Sequence, residues 1–200
     1  MNDKNIKQWL GYALRNKETI LRYLDNFRPE DLENGLLSIP ESLINDQLRP
    51  TILGAASPWI SSYNLNFSNN MIFADAVINV KQTGPVRAIL MLSVEEFTFR
   101  PDRHRISFQY REDIRSQGNP AQAMMLKMFG GGNGFLAKLT SMAGNKMPGI
   151  TADGRILTID LDHYLATTGS ASRVASALDH LSLRYVAAGD GYLKLQFTFL

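Results

Sequence analysis

Apolar and polar positions alternate with two different periods along this chain. Up to about residue 60 the apolar residues recur every three or four positions, and beyond Ser61 mostly every second one. Residues 4–26 put Ile6, Trp9, Leu10, Ala13, Leu14, Ile20, Leu21 and Leu24 on one face of an amphipathic helix. Lys4, Lys7, Arg15, Lys17 and Arg22 fall on the other face. RPEDLENG, residues 28–35, has the charge and glycine content of a connection. In the stretch that follows, Ser38 or Pro40 can open a helix, with Leu43, Ile44 and Leu48 on one side until Pro50 interrupts it.

From Ser61 the pattern is that of half-buried strands. Tyr63, Leu65 and Phe67 share a face, Asn69-Asn70 turns the chain, and Ile72, Ala74, Ala76, Ile78 and Val80 alternate on the return. After Gly84-Pro85, Val86, Ala88, Leu90, Leu92 and Val94 share a face, and then the apolar set jumps to Phe97 and Phe99. That slip across Glu95-Glu96 is the mark of a β-bulge. Ile106, Phe108 and Tyr110 continue the alternation after the turn at PDRH. The four runs predict an antiparallel meander with one apolar face. Further on, Asp153-Gly154 is a turn, Leu157, Ile159 and Leu161 are inward positions of a strand, and SASRVASALDHL reads as a short helix with Val174, Ala177 and Leu178 on one side. The chain closes as a hairpin around Gly189-Asp190-Gly191.

Between the meander and the later strands lies PAQAMMLKMFGGGNGFLAKLTSMAGNKMPG, residues 120–149, with five of the eight methionines. Asn119-Pro120 is a helix start. Each glycine inside a helix costs about 1 kcal/mol relative to alanine. The run at 130–132 therefore predicts a hinge near 130–134 between two short apolar-faced helices, 120–129 and 134–146. Methionine is unbranched and polarizable, and suits changing apolar partners. Met124, Met125, Met128, Phe129, Phe135, Leu139 and Met142 are the candidate walls of an apolar ligand site.

Composition narrows the function. The chain has 200 residues and no cysteine, which removes disulfides and thiolate metal sites. The 21 basic and 19 acidic residues nearly balance, so nothing points to nucleic acid. Residues 1–28 hold six basic and three acidic side chains, an excess of +3 against +2 for the whole chain, which leaves the remainder at −1. The basic helix could rest on an anionic membrane with Trp9 at the interface, or dock on its own domain. No run of 18 apolar residues exists to span a bilayer, and the N-terminus lacks the pattern of a signal peptide. The expectation is a cytoplasmic protein, peripheral at the membrane if residues 4–26 make that contact.

Catalytic readings fail one by one. GGGNG, residues 130–134, is followed by Phe135 and Leu136, where a phosphate loop needs a lysine and a hydroxyl residue. No βαβ unit surrounds it, as a dinucleotide site requires. ILTIDLDHYL superficially resembles the Asp-x-Asp motif of haloacid-dehalogenase-type phosphatases, but antiparallel hairpins are not the alternating strands and helices that chemistry requires. Asp160 and Asp162 are more simply outward positions at a strand end. His104, His163 and His180 are scattered, none in a metal-ligand or triad spacing, and His104 falls in a charged turn. Glu95 and Glu96 would point to opposite faces of a strand. Neither an enzyme nor a cofactor or metal site is expected.

The order of elements resembles the tubular lipid-binding (TULIP) superfamily, in the form of its small single-domain bacterial members. SIPESLINDQL looks like the helix that opens such a domain. NLNFSNNMIFADAVI and AILMLSVEEFTFRPDRHRISF are similar to its long bent strands, and LKMFGGGNGFLAKLTSMAGNKMPGITADGRILTIDL to its later helix and strand. LSLRYVAAGDGYLKLQFTF is similar to its C-terminal hairpin. The resemblance covers roughly 38–200, one of pattern with no invariant motif, and the basic N-terminal helix is extra. It implies an α+β fold: a strongly curved antiparallel sheet, meander plus C-terminal hairpin, wrapped around one or two helices. It implies an N-terminal helical extension at 1–35, a lipid-binding domain at 36–200, and non-enzymatic capture of an acyl chain in a groove beside the 120–146 helices. The alternative is a protein-interaction module using the N-terminal helix and the same apolar surface.

Overall fold

The computed structural model describes residues 29–80, 84–117, 120, 122–124, 126, 134–143, 148–168 and 181–199. The N-terminal helix, the hinge at 130–133 and the short helix from Ser170 lie outside the described residues. Within them the chain is mostly an open antiparallel sheet with a few helices.

The expected meander forms as β2 (Ile60–Ser68), β3 (Met71–Val80), β4 (Gly84–Arg100) and β5 (Arg103–Ser116). Asn69 and Asn70 join β2 to β3 in the left-handed region, at φ of 52° and 58°, which asparagine tolerates because its short amide bonds locally. Leu92 faces Tyr110 and Val94 faces Phe108, but after a register shift between Val94 and Glu96 it is Phe97 that faces Ile106 and Phe99 that faces His104. The extra residue at Glu95 keeps the aromatic pair in phase with the inner face, as the slip in the pattern predicts. Both glutamates are exposed.

β4 organises the sheet. Along one edge it pairs with β5; along the other it pairs first with β3 and then, at Phe99–Leu183, with β8 (Leu181–Gly189). The sheet thus forks into a β3–β2 branch and a branch of β8, β9 (Tyr192–Phe199) and β1 (Leu36–Pro40). A β6–β7 hairpin, Ile150–Asp153 and Ile156–Asp160, extends the sheet from β5. The branches meet where Tyr185 Oη donates to Asn70 Oδ1 at 2.6 Å and the Gly191 amide donates to the Phe67 carbonyl at 3.1 Å. The core lies on one face, from Phe67 and Ile72 through Val86, Ala88, Leu90 and Leu92 to Phe108, with Leu136 and Leu139 of a helix packed on it.

Three elements depart from expectation. Residues 29–35 are not a bare connection: Pro29–Glu33 forms a helical turn, α1, and Ser38 Oγ donates to Asp31 Oδ2 at 2.5 Å. Ser38 and Pro40 do not open a helix but lie in β1, where Leu37 and Ile39 face Leu195 and Leu193 of β9. Pro40, which lacks an N–H, is tolerated at the end of this strand at the margin of the sheet. Helical structure begins at Glu41 and passes through a π turn, Leu43–Gln47, and Pro50 sits in the first turn of α2 (Arg49–Ala56) instead of interrupting it. These turns cover the free edge of β2. Asn45 exchanges two hydrogen bonds with the Leu65 backbone, Arg49 Nη1 donates to the Tyr63 carbonyl at 2.7 Å, and Glu41 Oε1 accepts from the Phe67 amide at 2.5 Å. Side chains here do the work of a further strand.

Candidate functional site

Glu112 occupies an inward position of β5, two residues past Tyr110, where alternation calls for an apolar residue. It is 9% exposed. A carboxylate so placed needs donors. It has three: the amides of Gly134, Phe135 (2.6 Å) and Leu136 (3.0 Å). These are the first free N–H groups of α3, Phe135–Ala143, so the negative charge also faces the positive end of that helix. Pinned there, α3 buries Leu136, Leu139, Thr140 and Ala143, the i, i+3, i+4, i+7 face. Thr140 Oγ1 accepts from the Ala152 amide of β6 at 3.2 Å. The helical piece before it is held by Gln122, whose amide donates to the Pro85 carbonyl at 2.8 Å and accepts from the Gln117 amide at 2.9 Å.

The candidate wall residues divide accordingly. Leu139 is core and Phe135 is packed against it. Met142 is 56% exposed and Met124 69% exposed. Met142 follows Leu136 by six residues, which on a helix of 3.6 residues per turn puts it well away from the buried face. Leu139, three residues earlier in the same helix, is buried. Met125, Met128 and Phe129 lie outside the described side chains.

Past the bulge the inner face changes character. Phe97 and Phe99 stack at 6.1 Å between centroids, and Phe97 lies 6.3 Å from the Tyr185 ring. All three are only half-buried, unlike Leu90 and Leu92 before the bulge. Burial pushes the Tyr185 phenol above its ordinary value, partly offset by the Ala188 amide. Half-exposed aromatics side by side form an apolar bank, which Tyr185 joins to the core.

His104 ends this bank, edge-on to Phe99 at 4.6 Å. It is not a turn residue: it is the second residue of β5 and 4% exposed. Its Nδ1 is 2.7 Å from Asp162 Oδ1, and its amide donates to Asp162 Oδ2 at 2.8 Å. Asp162 is therefore no strand-end residue, nor is Leu161 an inward strand position. Both belong to α4, Leu161–Thr168, which starts where Asp160 Oδ1 accepts from the His163 amide at 2.9 Å. Burial raises the Asp162 carboxyl, but the hydrogen bonds from His104 and the charges of His104 and Arg103 outweigh it and hold it below the usual range. The sequence reading missed this pair. The signal was there in part, since His104 lies in phase with Ile106 and Phe108.

Among the described residues no three histidine or acidic side chains approach closely enough to hold a metal ion. No helix among them is long and apolar enough to cross a membrane. Compared with known proteins, the chain matches no family model, no curated protein and no solved structure.

Proposed function

We propose that the protein binds a lipid or another apolar ligand without catalysing a reaction, on the inner face of the sheet beside the 120–146 segment. The observation that carries this reading is the bank of half-buried aromatics past the bulge, Phe97, Phe99 and Tyr185. Covering such a surface with hydrocarbon stabilises by about 25 cal/mol per Å² removed from water. In this reading the sheet is strongly curved around α3 in the manner of the tubular lipid-binding superfamily. Residues 36–200 are then the lipid-binding domain, and residues 4–26 provide contact with a membrane surface from within the cytoplasm.

Native mass spectrometry of protein purified from cells tests it, together with displacement of an apolar fluorescent probe by fatty acids and phospholipids. Bound lipid mass and competitive displacement are expected. A clean apo mass with no affinity for any of these ligands defeats the proposal. The exposure of Met124 and Met142 favours a second reading, a module that docks another protein chain on its apolar surface. Deleting residues 1–28 separates the two. Lipid capture that survives while recruitment is lost makes the N-terminal helix an address and the inner face the function.

A further inference from the structure

We propose that the cleft bounded by β6, β7 and the end of α3 is a binding site for a phosphate group, held by the guanidinium of Arg105. The cleft has a volume of about 500 Å³, and Arg105, Thr140, Ser141, Thr151, Thr158 and Asp160 line it. It involves the opposite face of β5 from the aromatic bank, because Arg105 alternates with the inward His104 and Ile106. The site shares the end of α3 with the apolar-ligand reading but rests on different side chains, so either can fail without the other.

Its central feature is an arginine whose natural partner has been taken. Arg105 stands directly across from Asp160 in the β5–β7 register, the position at which opposite charges ordinarily pair. Asp160 instead caps α4 through the His163 amide. Among the described residues no carboxylate is in ion-pair contact with Arg105, and its Nε is buried without a hydrogen-bond partner. That Nε is closed off inside the protein, so a ligand in the cleft meets the guanidinium through its terminal nitrogens, where an oxyanion forms charge-assisted bonds. Asp160 does not bar an anion, because the positive end of α4 partly compensates its charge.

The remaining donors select the shape of the ligand. The hydroxyls of Thr140 and Thr158 are engaged with Leu136, Ala137 and Ser107. Ser141 and Thr151 bring further hydroxyls from α3 and β6. Donors from three separate elements suit the tetrahedral oxygens of a phosphate better than a planar carboxylate. The phosphate could be free or the terminal monoester of a lipid headgroup; the chemistry of recognition is the same.

The test is calorimetric titration of the full chain with inorganic phosphate at constant ionic strength. A parallel arm measures flotation with phosphatidic acid vesicles against phosphatidylcholine vesicles. Saturable binding in either arm is expected, weakened at least tenfold by Arg105→Gln, less by Arg105→Lys and about threefold by Thr151→Val. Binding to phosphatidic acid alone identifies a lipid source, and binding to inorganic phosphate a free one. If neither arm saturates, or if Arg105→Gln binds as well as the wild type, the site does not exist. Should Arg105→Gln fail to fold by circular dichroism, Arg105→Lys and Thr151→Val decide: unchanged affinity in both overturns the proposal.

Discussion

The inner face of the sheet is one surface built to two standards. Before the bulge in β4, Val86 and Ala88 are fully buried, Leu90 and Leu92 nearly so, and α3 contributes Leu136 and Leu139 to the same core. After the bulge, Phe97, Phe99 and Tyr185 remain half-buried, and the most enclosed side chain is a histidine. Hydrophobicity does not separate them, since the second half has the larger apolar side chains. The difference is what holds a cover in place. In the first half a buried carboxylate, Glu112, gathers the N-terminal amides of α3 and fixes the helix on the sheet.

The strongest way to break that contrast is to remove the charge while keeping the shape. Glu112→Gln keeps one acceptor oxygen but removes the charge and turns an NH₂ toward at least one of the three amides, leaving a buried N–H unpaired, and is expected to cost about 3 kcal/mol. The fall should appear in the urea midpoint of global unfolding. A variant as stable as the wild type shows that α3 is held by its apolar face alone.

A matched pair of truncations measures the contrast itself. Leu139→Ala empties a buried site and should cost about 3 kcal/mol. Phe99→Ala removes more atoms from a half-exposed site and should cost about 1 kcal/mol of stability. It should also weaken apolar-probe binding by tenfold or more. Equal losses of stability would show that both halves are equally well packed in solution.

The same division governs what the sequence made legible. The meander, the Asn69-Asn70 turn, the closing hairpin and the slip at Glu95 all rest on local period-2 patterns, which report half-buried strands directly. The departures rest on partners far away in the chain. Leu36–Pro40 is a strand because Leu37 meets Leu195, and no local feature announces that pairing. Glu112 breaks the alternation because it serves amides 22 to 24 residues further on. Asp162 begins a helix and binds His104, 58 residues earlier. Of the candidate wall, Phe135 and Leu139 were readable as apolar, but the side toward which Met142 turns depended on where α3 starts, and Glu112 sets that.

The smallest expected effect tests how lightly the second half is held. Asp162 binds both the amide and the ring of His104, and its pKa is lowered in the folded chain, so the unfolded chain binds this proton more tightly. The stabilisation is therefore complete above the ordinary carboxylate value of about 4 and is lost as pH falls through the lowered folded value. Its side chain is 46% exposed, and solvent screening holds the contribution to about 0.5–1 kcal/mol. Asp162→Asn keeps an acceptor for the His104 amide but not the charge. Its deficit relative to the wild type should be present in full at pH 7 and shrink as pH falls below about 4 through the lowered folded value. Denaturant titrations of both proteins across that range measure it. A deficit that does not change with pH would mean that the carboxylate contributes only hydrogen-bond geometry, and that His104 is held by packing against Phe99.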